Sequence, residues 1–207
     1  MTAATSADAT PLPDDAAPFR QRLIDGLAAS IRDRGYRDST IADVVRHART
    51  SRRTFYAEFA SKDECYVALL HSSNERMRHR IEASVDPAAP WREQVRQAVE
   101  AYIDAVVSDP AIMISWIREL PALGTVARTV QREAIDEMTE LLLRLSDTEV
   151  FRRSGAGPLS RPLALLLLGG IRELTATTVE DGGDVRDLTE VATQAATALL
   201  APTTGQS

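Results

Sequence analysis

The sequence predicts an all-α chain: a small, basic N-terminal group of helices followed by a larger helical domain. Three observations carry this. Ala, Arg and Leu are the commonest residues, and they lose little conformational freedom in a helix. Apolar residues recur at spacings of three and four rather than two. Aromatic residues are only 5% of the chain, and no alternating run of β-branched residues appears.

The elements follow in order. Met1 to Pro18 holds three prolines, Asp8, Asp14 and Asp15 but no basic residue, so residues 1–17 read as a disordered tail and not a targeting segment. A first helix is predicted from Pro18 to Arg34, with Leu23, Ile24, Leu27, Ala28 and Ile31 as its apolar stripe and Gly35 as its stop. A short second helix begins at Thr40, where Asp43 has the spacing of a capping box. Ile41, Val44, Val45 and Ala48 form its inner face. After a break at Arg49-Thr50-Ser51, a third short helix turns Phe55 and Phe59 inward. Ser61 and Glu64 form another capping box, opening a long helix to about Val85. Further helices are predicted over Trp91–Ser108, Asp109–Leu120, Leu123–Leu145, Leu163–Glu180 and Val185–Leu200. The loop from Arg153 to Pro158 and the Gly-rich turn Asp181–Asp184 separate the last three, and residues 201–207 read as a second disordered tail. The domains expected are thus 18–62 and 63–200.

Charge is unevenly spread. The chain carries a net −6, yet residues 18–62 hold ten basic and five acidic side chains. A basic segment in an acidic chain points to a polyanionic partner. Cys65 is the sole cysteine, which excludes a disulfide framework. The longest apolar run, Leu163–Ile171, is too short to cross a bilayer, so a cytoplasmic protein without a membrane partner is expected.

Three short helices with tight connections form a helix-turn-helix, whose last helix enters the DNA major groove. Its leading residues would be Thr50, Ser51, Arg52, Arg53 and Thr54. An arginine can make paired hydrogen bonds to guanine O6 and N7, so Arg52 and Arg53 are the candidate base readers. The Tyr56 hydroxyl can donate to a phosphate.

The stretch Arg34-Gly-Tyr, Thr40-Ile-Ala-Asp-Val-Val, Ser51-Arg-Arg-Thr-Phe-Tyr-Ala-Glu-Phe and Ser61-Lys-Asp-Glu resembles the TetR family of transcriptional regulators. The resemblance covers about 50 residues. It implies a helix-turn-helix DNA-binding domain, a C-terminal helical ligand-binding and dimerisation domain, and a double-stranded DNA operator as partner. It also implies phosphate contacts by Thr40, Tyr56 and Lys62, and base or nearby backbone contacts by Arg52, Arg53 and Thr54. Two positions depart from the family pattern. Arg49 stands where a turn glycine is usual, so the turn either avoids a left-handed conformation or strains Arg49 by about 1 kcal/mol. Arg49 also adds positive charge at the groove, whereas Glu58 cannot donate to phosphate and is left out of the contact set.

Other constellations carry less. His71, Glu75 and His79 share a helix face, but the surrounding charge is that of a solvated surface, so no metal is expected. Cys65 reads as a small core residue. No phosphate loop, zinc-type Cys/His set or nucleophile elbow occurs, so neither a cofactor nor an enzymatic site is expected.

The last two helices read as a homodimer interface through Leu167, Gly170, Ile171, Leu174, Leu188, Val191, Ala195 and Leu199, with glycine and alanine allowing close backbone approach. The resemblance favours their pairing with symmetry mates in a four-helix bundle. Between this bundle and the head, Tyr102, Met113, Trp116, Ile117, Met138 and Leu142 are candidates to line a pocket for an unknown, mostly apolar small-molecule effector. The leading functional expectation is a repressor released from a palindromic operator by that effector. The alternatives are a constitutive DNA-binding dimer without a ligand, and a helical enzyme or carrier with a vestigial motif.

Overall fold

The computed structural model describes residues 19–201, and nothing is said of the side chains of Thr125 and Val126. Pro18 and the two tails, Ala201 apart, lie outside the described residues. Helix α1 (Phe19–Asp38) bends at Gly35, whose φ of 78° is available to glycine at no steric cost. Its inner stripe of Leu23, Ile24, Leu27, Ala28 and Ile31 is buried against the helices that follow. Helix α2 (Ile41–His47) lies so close to α1 that a side chain at Gly26 would collide with it: a Cβ there would stand 2.6 Å from the Val44 carbonyl oxygen. Helix α3 (Arg52–Glu58) is capped by Ser51, whose hydroxyl accepts from the Thr54 amide. Helix α4 (Lys62–Ser84) is capped in the same way by Ser61, which accepts from Glu64.

The core under α1–α3 does not end with α3. Cys65, Tyr66, Leu69 and Leu70 of α4 complete it, together with Ile112, Leu120 and Ala127 from further along the chain. The first turns of α4 are therefore part of the head, and the same helix continues into the larger domain.

In that domain α5 (Trp91–Ser108) and α7 (Thr125–Ser146) pack on α4, while α9 (Arg161–Glu180) packs on α7 and α10 (Leu188–Leu200) on α5 and α9. Short elements α6 (Pro110–Ile114) and α8 (Glu149–Arg153) join them, and no strand occurs among the described residues. The predicted single helix from Asp109 to Leu120 is broken in an unforeseen way. After α6 the chain makes a wide π turn over Ser115–Glu119, then a tight turn over Leu120–Leu123. Pro121 and Gly124 (φ 71°) end the run before α7.

Helix α9 has a mean hydropathy of 1.3 over its most apolar stretch, so by length and composition it could cross a membrane. It nevertheless packs against α7 and α10 and carries Arg172 and Glu173 mid-helix.

Candidate nucleic-acid interface and interior cavities

On α3, Phe55 and Phe59 are fully buried with ring centroids 5.8 Å apart. This pins one side of the helix, so the other must face outward. Arg52 and Arg53 are exposed, Tyr56 is 59% exposed, and Thr54 is half-buried with its hydroxyl beside that of Ser51 at 3.0 Å. The preceding turn is held by Arg22 of α1, which donates to the carbonyls of Ala48 (2.7 Å) and Arg49 (3.0 Å). Arg49 has a φ of 50° and is exposed, so the turn takes the left-handed form and Arg49 carries its strain. Thr50 is half-buried beside it. Arg20 braces the far end of α3, stacking over Phe59 at 4.2 Å and donating to the Glu58 carbonyl.

Two of the residues expected at phosphates, Thr40 and Lys62, also make bonds within the chain. The Thr40 hydroxyl donates to Asp43 at 2.6 Å and accepts from the Asp43 amide, closing the capping box. The Thr40 hydroxyl and the Thr40 amide (3.0 Å) both donate to the Asp43 carboxylate and, with Arg34 and Arg46 nearby, hold it below the usual carboxylate range. The Lys62 ammonium donates to the carbonyls of Tyr36 and Ser39, both at 2.8 Å, and lies over the Tyr36 ring. Its burial pulls its pKa down. Lys62 thus ties the end of α1 to α4, and one of its three protons remains for a phosphate. Cys65 is fully buried, and burial pushes its thiol up to about 12, which leaves it inert as a thiolate nucleophile.

A connected set of contacts links the head to the larger domain. The Tyr36 ring stacks on Tyr66 at 3.9 Å, and its hydroxyl donates to Asp63. The Tyr66 hydroxyl meets Ser115 of the π turn at 2.5 Å in the core, and Glu119 accepts from the Tyr36 amide. From the same turn, Arg118 bonds both Glu173 and Glu180 of α9, with four contacts between 2.7 and 3.1 Å. Arg32 of α1 pairs with Asp109 at 2.6 Å.

Two adjoining cavities lie behind this junction. The outer one, of about 340 Å³, is lined by Met113 and Trp116; the inner one, of about 90 Å³, by Leu142. Tyr102 and Met138 line both. Ile117 lines neither and is buried elsewhere. Its expected position assumed α-helical spacing from Met113, and the extra residue in the π turn rotates it off that face. Sequence reasoning missed Leu168, shared by both cavities, and the arginines at the outer one.

The expected dimer residues divide between two faces. Leu167 is buried, and Ile171, Leu188 and Leu199 pack against interior clusters. Those four therefore serve the chain's own core. Gly170, Leu174, Val191 and Ala195 are exposed, joined by Leu165, Leu166 and Gly169, with Leu166 at 65% exposure. A Cβ at Gly169 or Gly170 would meet nothing within 4 Å, so nothing inside the chain requires glycine there. No group of three or more His, Cys, Asp and Glu side chains suited to a metal occurs among the described residues.

Residues 23–69, spanning α1 to the start of α4, match the family described as bacterial regulatory proteins, tetR family. In its N-terminal domain, the chain is similar to the TetR family. A curated relative, the HTH-type transcriptional regulator YhgD of Bacillus subtilis, is 22% identical over 124 residues. That alignment covers 60% of this chain and 63% of the relative. In fold the chain is similar to FadR, the fatty acid degradation regulator of Bacillus halodurans (TM-score 0.71, 18% identity, 93% of this chain and 100% of that one). It is likewise similar to FadR of Bacillus subtilis, solved in complex with stearoyl-CoA (TM-score 0.73, 18% identity, 87% and 97%). The proteins matched are described as regulators and not as enzymes.

Proposed function

We propose that this chain is a TetR-family regulator, a cytoplasmic, homodimeric repressor that binds a palindromic operator and is released by a small, mostly apolar effector. The observation that carries the DNA-binding part is the state of α3: Phe55 and Phe59 lock one face, while Arg52, Arg53 and Tyr56 stand open on the other. Arg52 and Arg53 read bases, Tyr56 and Arg49 contact the backbone, and Thr50 and Thr54 approach it. Thr40 and Lys62 act first by fixing α2 and α4, and reach phosphate only with the hydrogen-bonding capacity left over.

Dimerisation uses the outer face of α9 and α10. Leu166, Gly170 and Leu174 of one and Val191 and Ala195 of the other leave an apolar strip that a second copy would bury. A two-fold dimer carries its recognition helices about 34–36 Å apart, or a multiple, to match two half-sites.

The effector occupies the cavities behind the junction. The apolar lining of the inner cavity supports this, as does the similarity of fold to a protein whose solved complex holds stearoyl-CoA. Coupling runs through the π turn, whose Ser115 and Glu119 hold the head while Arg118 holds α9. A ligand that shifts this turn moves the heads relative to the dimer axis, and linkage requires operator to weaken ligand equally.

Selection of bound sequences from random DNA tests the proposal. The expected product is an inverted repeat whose half-site spacing suits a two-fold dimer. Recovery of single, unpaired half-sites would overturn the dimeric reading, and no enrichment over input would overturn sequence-specific binding.

A further inference from the structure

We propose that the effector is an amphipathic anion, a single apolar chain ending in a carboxylate or phosphate. The far end of its chain enters the inner cavity, and the rest lies in the larger outer one with the anionic end among that cavity's arginines. This rests on the reading of the interior as an effector site. The inner cavity has no charged liner, and its polar side chains are already used: Gln94 donates to the carbonyls of Pro87 and Ala89, Ser146 to those of Leu142 and Leu143, and the Tyr102 hydroxyl meets that of Thr175. The outer cavity is lined by Arg32, Arg76, Arg80 and Arg172 against a single carboxylate, Asp109. Tyr102, Met138 and Leu168 are shared walls, so one molecule can occupy both spaces.

The positive charge of the outer cavity is not balanced from within. Among the described residues, Arg76 hydrogen-bonds only the hydroxyls of Ser72 and Ser73, and Arg80 only that of Ser108. Arg172 faces the neutral amide of Gln131, whose oxygen, with the amide turned to satisfy both partners, accepts from both terminal nitrogens at 2.9 and 3.0 Å. Arg172 is half-buried, and its burial disfavours the charged form. A half-buried guanidinium with no carboxylate hydrogen-bonded to it favours an incoming anion, which adds counter-charge through charge-assisted hydrogen bonds.

The remaining pair gives the anion a mechanical effect. Arg32 belongs to α1 of the head and holds Asp109 by two contacts, at 2.6 and 3.1 Å. An anion seated beside Arg80 and Arg172 competes with Asp109 for Arg32 and repels Asp109 as a like charge. The tie between α1 and the start of α6 is then loosened by the ligand itself.

The test is calorimetric titration of the full chain with dodecanoate, dodecyl phosphate and dodecanol. The two anions are expected to bind about tenfold or more tightly than the alcohol, the scale of one charge-assisted hydrogen bond. The tighter of the two anions identifies the headgroup. Arg172→Gln and Arg80→Gln should each collapse the preference for anion over alcohol, whereas Arg172→Lys should retain it. Asp109→Asn should raise anion affinity by removing the competitor. Dodecanol binding as tightly as dodecanoate, a preference that survives both glutamine substitutions, or binding of none of the three would overturn the inference. Operator affinity of the ligand-free chain is measured separately. Tight alcohol binding with intact operator binding sinks this inference alone, and loss of specific operator binding sinks the regulator reading.

Discussion

Gly26→Ala sets two known effects against each other at one position. In a helix interior alanine is favoured over glycine by about 1 kcal/mol, so propensity alone predicts a more stable protein. The packing predicts the opposite. A Cβ at residue 26 stands 2.6 Å from the Val44 carbonyl oxygen, 3.0 Å from the Ala48 amide nitrogen and 3.1 Å from the Ala48 Cβ. Those two backbone atoms are bonded to one another at 2.9 Å in the helical ladder of α2, so neither can turn aside alone. The whole of α2 must retreat. Overpacking of this kind costs about 1–3 kcal/mol, and with rigid backbone opposite the upper part of that range applies. The net expectation is a loss of about 1–2 kcal/mol, or roughly 2–8 °C in Tm for a chain of this size. Because α2 leads through Ala48 and Arg49 into α3, operator affinity should fall as well. Differential scanning calorimetry and operator titration on the same variant check both. A Tm equal to or above wild type would refute the close-approach argument and leave propensity as the dominant effect.

Three other expectations follow from the same geometry. Tyr66→Phe leaves the buried Ser115 hydroxyl without its partner and should cost about 1–3 kcal/mol in urea unfolding, more than an exposed tyrosine would. Asp43 has a folded pKa below its ordinary value, so its contribution is complete above the usual carboxylate range and is lost as pH falls through the folded value. The acid limb of the stability curve should therefore flatten in Asp43→Ala, and an unaltered limb would remove Asp43 from the account. Leu166→Glu places a charge on the outer face of α9, where the side chain is 65% exposed and has no role in the chain's own core. Sedimentation velocity should show a monomer with an unaltered helical spectrum, whereas an intact dimer would move the interface elsewhere.

The head was legible in the sequence because its signals are local. Thr40 with Asp43 and Ser61 with Glu64 each close within one helical turn, and Phe55 and Phe59 announce a buried side by their spacing. Gly26 carried the same quality of signal, a glycine inside an otherwise regular helix, and its close approach to α2 could have been inferred from it. The π turn could not. Ser115, Arg118 and Glu119 are held by Tyr66, by Glu173 and Glu180, and by the Tyr36 amide, all at least 49 residues distant in sequence. The two faces of α9 were ambiguous for a different reason. Leu163 to Leu168 is apolar throughout, so periodicity marks no single stripe, and the inward turn of Leu167 beside outward Leu165 and Leu166 is decided by the partners that α7 and α10 supply. The same limit hid the arginine cluster, whose members come from α1, α4 and α9.

Reading of DNA by α3 is the central claim, and base preference in arginine variants tests it most directly. Binding of wild type, Arg52→Ala and Arg53→Ala is measured on the selected operator and on single-base variants of each half-site, at two salt concentrations. Each substitution should cost about 1–3 kcal/mol on the preferred sequence and flatten discrimination at one base position. A uniform loss on every sequence, with a shallower salt slope and discrimination intact, would show that these arginines touch only phosphates and that base recognition lies elsewhere.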